Sequence, residues 1–372
     1  MWQVIVVGGG LAGLLNAIEL SREGLKVLLV EQKRYPFHRV CGEYISNEVT
    51  PFLKSLGLYP QHLQPVQVNT LKISSPKGRL SVLKLPLGGF GISRFQLDHF
   101  WYQQALDSGV TVKQGVKVRG ISYQQDHFQV LLDSQETENG QLVVGAFGKR
   151  SNLDKTLHRG FMRKRSPYVG VKYHIKAPWN EQEIALHTFD GGYCGVSRVE
   201  DQRVNMCYLT HRRHLRQHGS IDALEQQVLA ENPMLRELLE QGERIFPQPL
   251  VINEVSFAPK KAVENHVLMT GDAAGMITPL CGNGMAMAIR SAHMLSKLIV
   301  RYFRDDSYQR GPLEAEYQKL WDRQFAYRLM VGRKLQDAFH LPAAMDLLVS
   351  LARWPFVGRF IVKQTHGSEF RD

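Results

Sequence analysis

Cysteine is scarce in this sequence of 372 residues, and a long hydrophobic run is missing. The four cysteines, Cys41, Cys194, Cys207 and Cys281, lie far apart without a CxxC pair, which argues against a zinc site and against a disulfide framework. No stretch reaches the ~18 uninterrupted apolar residues that a transmembrane helix needs. We therefore expect reduced thiols, no metal ion and no membrane-spanning helix.

We also expect no secretion signal. Met1 is followed at once by the apolar segment WQVIVV. This leaves no room for a charged region and a separate apolar region ahead of a cleavage site. We predict a cytoplasmic protein.

Acidic residues are outnumbered, because 46 Lys and Arg stand against 35 Asp and Glu and give a formal net charge of +11. Such an excess raises nucleic acid or a phosphate-bearing surface as a partner. The basic residues are mostly scattered, with two local clusters, Arg159, Arg163, Lys164 and Arg165, and Arg212, Arg213 and Arg216. No recognition motif accompanies them, so we expect no nucleic-acid partner. Solvated surface charge explains both clusters, with a docking patch for an acidic partner as the alternative.

The first thirty residues contain a nucleotide-binding pattern. WQVIVV is typical of a buried parallel strand, and GGGLAG follows it directly. The next segment has helical spacing and stops at Gly24, and a second apolar run leads to Glu31 and Gln32. The loop between strand and helix consists of Gly8, Gly9, Gly10, Leu11, Ala12 and Gly13. Its glycines match GxGxxG within a complete βαβ unit.

Each residue type in this unit has a physical task. The first glycine makes a tight turn, the second lets the backbone approach a pyrophosphate, and the third brings helix against strand. The free N–H groups and the dipole of the helix N-terminus favour the phosphates. Glu31 can accept hydrogen bonds from both ribose hydroxyls, and its charge disfavours a 2′-phosphate. The expected nucleotide is FAD or NAD rather than NADP.

The chain beyond Glu31 favours FAD. The alternation of strand and helix expected of a simple dehydrogenase stops there, and strand-like runs such as NTLKISS and RLSVLKL follow. A helix is predicted over 93–106, entered at Ser93, with Arg94 and Asp98 in its first turns. Another strand, in QLVVGAFGKRS, is predicted to end at Gly148.

The segment GDAAGMITPLCGNGM is the predicted second cofactor loop. A short apolar strand stops on Gly271 and Asp272, which places the Asp272 carboxylate to bind ribityl hydroxyls. Gly282, Asn283 and Gly284 then open a helix from Met285, whose N-terminal amides can face a pyrophosphate or a flavin ring.

These landmarks resemble the FAD-dependent oxidoreductase superfamily that includes p-hydroxybenzoate hydroxylase, geranylgeranyl reductase and the flavin-dependent halogenases. GGGLAG, the helix with Arg94, GAFGKRS and GDAAGMITPLCGNGM occur in the expected order. The resemblance implies an α/β fold with a split Rossmann-like FAD-binding domain, an inserted antiparallel β-sheet substrate domain and a C-terminal helical region. The implied ranges are 1–65, 90–160 and 257–305 for the first, 66–89 and 161–256 for the second, and 306–372 for the third.

The resemblance also implies which residues contact FAD. The loop glycines and Glu31 would hold the ADP half, Arg94 would lie near the pyrophosphate or ribityl chain, and Asp272 would bind the ribityl chain. The implied cofactor-binding residues are Gly8, Gly10, Leu11, Ala12, Gly13, Glu31, Gln32, Arg39, Cys41, Arg94, Gly271, Asp272, Gly282, Asn283, Gly284 and Met285.

Two details favour a branch that resembles geranylgeranyl reductase. Gly275 stands where hydroxylases usually have His, and CGEYIS, which starts at Cys41, is similar to a reductase loop beside the flavin. The WxWxIP signature of halogenases is missing from the sequence, which argues against halogenation. Phe147 replaces the usual Asp of this superfamily, which puts direct reduction by NAD(P)H in doubt and leaves a ferredoxin, a quinone or a differently bound nicotinamide open.

Alternating residues in 166–256 predict an antiparallel sheet above the flavin ring. Its candidate substrate-pocket residues are Tyr173, His187, Tyr193 and Cys194, although ordinary sheet residues alternate in the same way. Cys41 and Glu43 are the candidate proton donors for catalysis, with a small packed residue as the other interpretation of Cys41.

The preferred function is redox chemistry on a lipophilic or aromatic biosynthetic intermediate, either C=C reduction or dehydrogenation. Hydroxylation with NAD(P)H and oxygen is the first alternative, and electron relay to a partner protein is the second. The apolar C-terminal region is expected to pack on the FAD-binding domain or to line a substrate entrance. A carrier-bound substrate, an electron-donor protein and peripheral membrane contact remain open as partners.

Overall fold

The computed structural model describes residues 1–163, 165–278, 282–338, 342–352, 354, 356 and 369–370. Two β-sheets and the helices around them make up this part of the chain. The centre of the first sheet is parallel, and most of the second is antiparallel. The predicted fold class, with its Rossmann-like unit, antiparallel sheet and helical C-terminal region, is confirmed.

The first sheet has the predicted nucleotide-binding unit at its centre. Its strands are β1 (Trp2–Val7), β2 (Val27–Glu31), β6 (Thr111–Gln114), β7 (Val118–Gln124), β8 (His127–Leu132), β9 (Thr137–Gly145), β16 (Val263–Glu264) and β17 (Val267–Met269). Strand β1 lies between β2 and β9 and is parallel to both. Because helices cover this sheet, β1 and β2 are largely buried, as expected from their continuous apolar runs.

The strands of the second sheet come from two stretches of the chain, one between β2 and β6 and the other between β9 and β16. Its strands are β3 (Tyr44–Ser46), β4 (Val66–Ser74), β5 (Leu80–Gly91), β10 (Tyr168–Lys176), β11 (Glu183–Phe189), β12 (Gly192–Arg198), β13 (Val204–His211), β14 (Glu243–Arg244) and β15 (Leu250–Val255). The spatial order is β14-β10-β13-β12-β11-β4-β5-β3, with β15 beside β10. Only the β11–β4 pair is parallel among the described pairs of this sheet.

The helices of the described chain surround these sheets. They are α1 (Leu11–Arg22), α2 (Thr50–Ser55), α3 (Arg94–Asp107), α4 (Asn152–Thr156), α5 (Arg212–His218), α6 (Ile221–Gln227), α7 (Pro233–Gln241), α8 (Gly284–Arg304), α9 (Arg310–Ala338) and α10 (Pro342–Ala352). Helix α1 contacts α3 and α8, and α9 adds Tyr317, Trp321 and Phe325 to the core of the first sheet. None of the described helices is both long and apolar enough to cross a bilayer.

Helices α5, α6 and α7 were missed by the sequence analysis, which assigned their region to an antiparallel sheet. Each has only seven to nine residues, too few for a clear helical period to emerge. Helix α7 nevertheless carries a recognisable start, because Asn232 caps the Met234 amide and Pro233 occupies the first helical turn. Residues of α6 and α7 cover one face of the second sheet and form a core there.

Strand β9 ends at Gly145, three residues before the predicted end at Gly148. The chain turns here over the first cofactor loop, since a Cβ on Gly8 would lie 2.4 Å from the carbonyl oxygen of Ala146. The close approach of the two backbones brings GAFGKRS to the same end of the sheet as GGGLAG.

Candidate active site

The GxGxxG loop turns from β1 into α1 as the sequence predicts. Gly8 has a φ of +104°, a conformation that favours glycine. A Cβ on Gly13 would lie 1.9 Å from the Gly8 carbonyl oxygen, so glycine is needed where α1 packs against the loop. Gly10 precedes α1 without a capping side chain. The first amides of α1 therefore remain available to an anion.

Glu31 ends β2 with its carboxylate beside the same loop. Its Oε2 accepts a hydrogen bond from the Gly9 backbone N–H at 2.8 Å and pairs with Arg39 at 3.2 Å. Arg39 also pairs with Asp98 at 2.8 Å, and Asp98 meets Arg94 at 2.6 Å. A continuous row of charged groups therefore joins the predicted ribose-binding residue to helix α3.

The second loop reaches the same place from β17. Gly271 has a φ of +59°, and the backbone oxygen of Asp272 accepts a hydrogen bond from Lys260 Nζ at 2.7 Å. Burial raises the pKa of the Asp272 carboxyl, while Lys260, Lys149 and Arg94 oppose that rise. Burial lowers the pKa of Lys260 to about 8. The predicted ribityl-binding residue is thus half-buried, with three basic side chains nearby.

Both loops line one cavity of about 810 Å³. The predicted cofactor residues found in its lining are Gly8, Gly10, Leu11, Ala12, Glu31, Gln32, Arg39, Cys41, Arg94, Gly271, Asp272, Gly282, Asn283, Gly284 and Met285. The remaining one, Gly13, lies against Gly8 and serves the contact between helix and strand. The structure therefore brings together the first βαβ unit with the loop after it, the start of α3 and the second loop, which are far apart in sequence.

The cavity suits FAD in size and in the order of its polar groups. A glycine cradle with an uncapped helix start fits a pyrophosphate, and the carboxylate of Glu31 fits a ribose. At the other loop, Asp272 fits a polyhydroxy chain. The contacts of individual residues with FAD stay predictions.

A family model described as an FAD binding domain matches residues 1–311. The chain belongs to this family. It is an FAD-dependent oxidoreductase, a class to which reductases similar to this chain also belong.

Two known reductases are similar to the chain in sequence. Menaquinone reductase of Mycobacterium tuberculosis is 25% identical over 320 residues, which cover 80% of this chain and 76% of the relative. Digeranylgeranylglycerophospholipid reductase 1 of Methanopyrus kandleri is 22% identical over 356 residues, which cover 90% of each chain. The predicted resemblance to geranylgeranyl reductases is confirmed.

Solved structures share the fold of this FAD-dependent oxidoreductase. A geranylgeranyl bacteriochlorophyll reductase-like protein of Thermoplasma acidophilum superposes with a TM-score of 0.81 at 18% identity, over 99% of this chain and 96% of that protein. The halogenase PltM, in a complex with phloroglucinol and FAD, gives a TM-score of 0.75 at 17% identity, over 97% of this chain and 85% of the halogenase. At such identities these likenesses establish the fold alone.

The loop that carries Cys41 is held by side chains of the second sheet. Asn205 donates a hydrogen bond to the Cys41 carbonyl oxygen at 3.2 Å, and Ser197 donates one to the Gly42 carbonyl oxygen at 3.0 Å. On the cavity side, 3.7 Å separate the sulfur atoms of Cys41 and Met285. Cys41 therefore sits where the antiparallel sheet meets the start of α8.

Glu43 does not fit the predicted role of proton donor. Its buried carboxylate contacts Lys172, lies 2.7 Å from Nε2 of His174 and accepts a hydrogen bond from the Arg94 backbone N–H at 2.8 Å. Burial alone would raise the pKa of Glu43, but Lys172 and His174 outweigh burial and lower the pKa to about 2. An ionised carboxylate has no proton to donate, so these contacts favour an anchoring role for Glu43 over the predicted one. Lys172 also donates a hydrogen bond to the Arg39 carbonyl oxygen at 3.1 Å. The cluster of Glu43, Lys172 and His174 therefore anchors the loop that carries Cys41.

Of the four predicted pocket residues, Tyr193 lines the cavity. Tyr173, His187 and Cys194 are not among the described lining residues. Tyr173 and Cys194 belong to the core beneath α6 and α7, and His187 is bonded to Ser74 Oγ at 2.8 Å. Successive side chains of a strand point to opposite faces, so the alternation that suggested these residues left open which half of them faces the cavity.

Other lining residues were missed by the sequence analysis. Lys149 and Cys207 face the cavity, and burial raises the pKa of Cys207 to about 12, so its thiol stays protonated. A set of apolar residues also lines the cavity: Leu71, Ile73, Leu85, Ile184, Leu186, Met276, Ile277, Met345, Val349 and Ala352. The position of Lys149 directly after GAFG could have suggested it, whereas nothing in the strand pattern singles out Cys207.

One basic residue was wrongly assigned to the surface. Arg159 is only 1% exposed and pairs with Asp154 at 2.9 Å and Glu264 at 2.7 Å. It also donates a hydrogen bond to the Ala273 carbonyl oxygen at 2.9 Å, so it holds the backbone of the GDAA loop in place. Several residues of the predicted clusters and second loop lie outside the described residues: Lys164, Pro279, Leu280 and Cys281.

Proposed function

We propose that this enzyme reduces a C=C bond of a lipophilic substrate, or catalyses the reverse dehydrogenation. The observation that carries the proposal is the apolar part of the cavity lining, most of which comes from the antiparallel sheet and helix α10 and which we call the apolar arm. The arm is lined by Leu71, Ile73 and Leu85 of β4 and β5 and by Ile184 and Leu186 of β11. An apolar arm of this kind favours a hydrocarbon substrate, because burial of apolar surface is the main source of its affinity.

A C=C reduction needs one hydride and one proton. Reduced FAD, when bound, would supply the hydride with its electron pair and so become oxidised. From this chain we assign the proton to the Cys41 thiol, which lines the cavity next to Met285 and is held by the loop contacts described above. After the transfer, the Cys41 thiolate takes up a proton from solvent, so the chain returns to its starting state.

The names of the similar reductases support a lipid substrate. Menaquinone and a digeranylgeranylglycerophospholipid, which appear in those names, are both lipids with long hydrocarbon chains. We extend that substrate class to this enzyme on the strength of its apolar arm. An aromatic head group would also fit beside Tyr193, whose ring is part of the cavity wall.

The reductant of the enzyme is a separate question. Phe147 lines the cavity where the superfamily usually carries an Asp. A nicotinamide that approaches this position therefore has no carboxylate to contact. We propose that an electron-donor protein or a reduced quinone supplies the electrons, with transient NAD(P)H as the competing donor. Steady-state reduction of the holoenzyme by each donor would distinguish them.

Anaerobic reoxidation tests the proposal. The purified holoenzyme is reduced without oxygen and mixed with a geranylgeranyl lipid that carries no quinone ring, while flavin absorbance is followed. A reductase reoxidises as the lipid is consumed. A hydroxylase stays reduced until oxygen is admitted and then passes through a hydroperoxide absorbance, and an electron relay reoxidises with neither. Either of the last two results would overturn the proposal.

A further inference from the structure

Helix α10 is apolar on two opposite faces. Met345, Val349 and Ala352 are at most 3% exposed and line the apolar arm of the cavity. Leu347 and Leu351 are 60% and 44% exposed. At 3.6 residues per turn these two lie roughly 200° and 240° around the helix from Met345. One short helix therefore separates the predicted substrate arm from an outer apolar face.

The outer face continues beyond the end of α10. The backbone N–H of Trp354 bonds to the Leu351 carbonyl oxygen at 3.0 Å, and the side chains of Trp354 and Phe356 are 69% and 83% exposed. We call Leu347, Leu351, Trp354 and Phe356 the outer apolar face. Large side chains, including two aromatic ones, that cluster on the surface mark an interaction site, and Trp favours the interface between lipid and water.

Basic side chains lie along the flank of the same helix. Lys77 is 3.9 Å from Asp346, with its side chain 80% exposed, and Arg79 donates to Ser350 Oγ at 3.0 Å. Asp346, the acidic residue of α10, has a side chain that is only 13% exposed. Apolar side chains flanked by lysine and arginine are typical of a segment that lies in the surface of an anionic bilayer.

We propose that the outer apolar face docks on a membrane surface that contains anionic lipid, with α10 lying in the head-group region. Leu347, Leu351, Trp354 and Phe356 enter the lipid, while Lys77 and Arg79 meet the head groups. The opposite face of α10 lines the apolar arm of the cavity. Docking would therefore bring this part of the cavity close to the membrane, the source of a lipid substrate. This role as an entrance rests on the proposed function, whereas the docking itself does not.

Vesicle sedimentation tests the docking without any substrate. The holoenzyme is mixed with vesicles of phosphatidylcholine containing about a quarter phosphatidylglycerol. The double variant Leu347→Ser with Leu351→Ser should bind them at least about tenfold more weakly than the parent, because two apolar side chains no longer enter the lipid. A tenfold change corresponds to ~1.4 kcal/mol. The variant Lys77→Glu with Arg79→Glu should lose the preference for phosphatidylglycerol over pure phosphatidylcholine.

Val82→Ser is the matched control. Val82 is 56% exposed on β5, and strand alternation directs it away from the face on which Ser81 bonds to the Val349 carbonyl oxygen. This variant should bind vesicles like the parent. FAD content and the unfolding midpoint of each variant show that it is folded.

Three results would overturn the docking: no sedimentation of the parent with anionic vesicles, equal binding by the leucine variant, or a dimer in solution that dissociates in the leucine variant. None of them depends on turnover. If the vesicles bind but no lipid C=C bond is reduced, the proposed function fails while the docking stands.

Discussion

Cys41 is the residue on which the proposed chemistry depends most directly. Its thiol lines the cavity between the two cofactor loops and the second sheet. We expect Cys41→Ala to lower kcat by roughly 10², the lower range for loss of a general acid. FAD binding should persist, because the loop is held through the backbone oxygens of Cys41 and Gly42, which the substitution keeps.

Cysteine variants elsewhere are the controls for this prediction. Cys194 is buried on the far side of the second sheet, so Cys194→Ala should retain kcat. Cys207→Ser keeps a small side chain in the cavity wall and should also retain most activity. A Cys41→Ala enzyme with unchanged kcat would exclude the thiol as the proton donor.

The buried ion pair of Glu43 predicts an acid-sensitive stability. Its pKa falls from 4.5 to about 2 on folding, so its contribution is complete above pH 4.5 and is lost as the pH falls toward 2. A change of that size corresponds to about 3 kcal/mol. Denaturant titrations between about pH 6 and about pH 2 cover this window. The free energy of unfolding should depend less on pH in Glu43→Gln than in the parent.

Glu240→Gln gives the comparison for that titration. Glu240 is exposed on α7, so its substitution should leave the pH dependence of unfolding as in the parent. If Glu43→Gln followed the parent curve through the acid range, the ion pair with Lys172 would contribute nothing to acid stability.

At the scale of the element, the turn from β1 into α1 controls cofactor binding. A Cβ at position 13 would overlap the Gly8 carbonyl oxygen, so Gly13→Ala must push α1 away from the loop. We expect roughly 1–3 kcal/mol of destabilisation and a clear loss of FAD from the purified protein. Flavin absorbance per chain and the unfolding midpoint measure both effects.

Gly120→Ala is the matched glycine variant. A Cβ there would meet nothing within 4 Å, and Gly120 lies in β7, away from the cofactor loop. It should keep a full complement of FAD. Equal FAD content in Gly13→Ala would mean that the close contact of helix and loop is not needed for binding.

The elements show why some parts of the fold are predictable from sequence. The first βαβ unit follows from local signals, because its strands are buried on both faces and its glycines have steric tasks that no other residue performs. The helices α5 to α7 carry too few turns for their periodicity to be recognised. In the second sheet, alternation identifies the strands of Tyr173 and Tyr193, but only tertiary packing decides which of the two rings meets the cavity.

At the scale of the whole molecule, the site is assembled from both sheets. The cavity position of the two glycine-rich loops was predictable because each loop has a motif with its own chemistry, such as Asp272 shortly after β17. The apolar arm was not, since Leu71, Ile184 and Val349 are ordinary apolar residues until the chain folds. The burial of Arg159 was hidden for the same reason, because its partners Glu264 and the Ala273 carbonyl oxygen lie in a distant part of the sequence.

The mass of the lipid recovered from an anaerobic single turnover tests the central claim most directly. Reduced holoenzyme, freed of excess reductant and oxygen, is mixed with a polyisoprenoid lipid. The molecular mass of the extracted lipid is then measured by mass spectrometry. Our account predicts a product heavier by two hydrogen atoms, formed in proportion to the FAD that becomes reoxidised. An unchanged lipid without oxygen, together with a product that gains one oxygen atom once air is admitted, would contradict it.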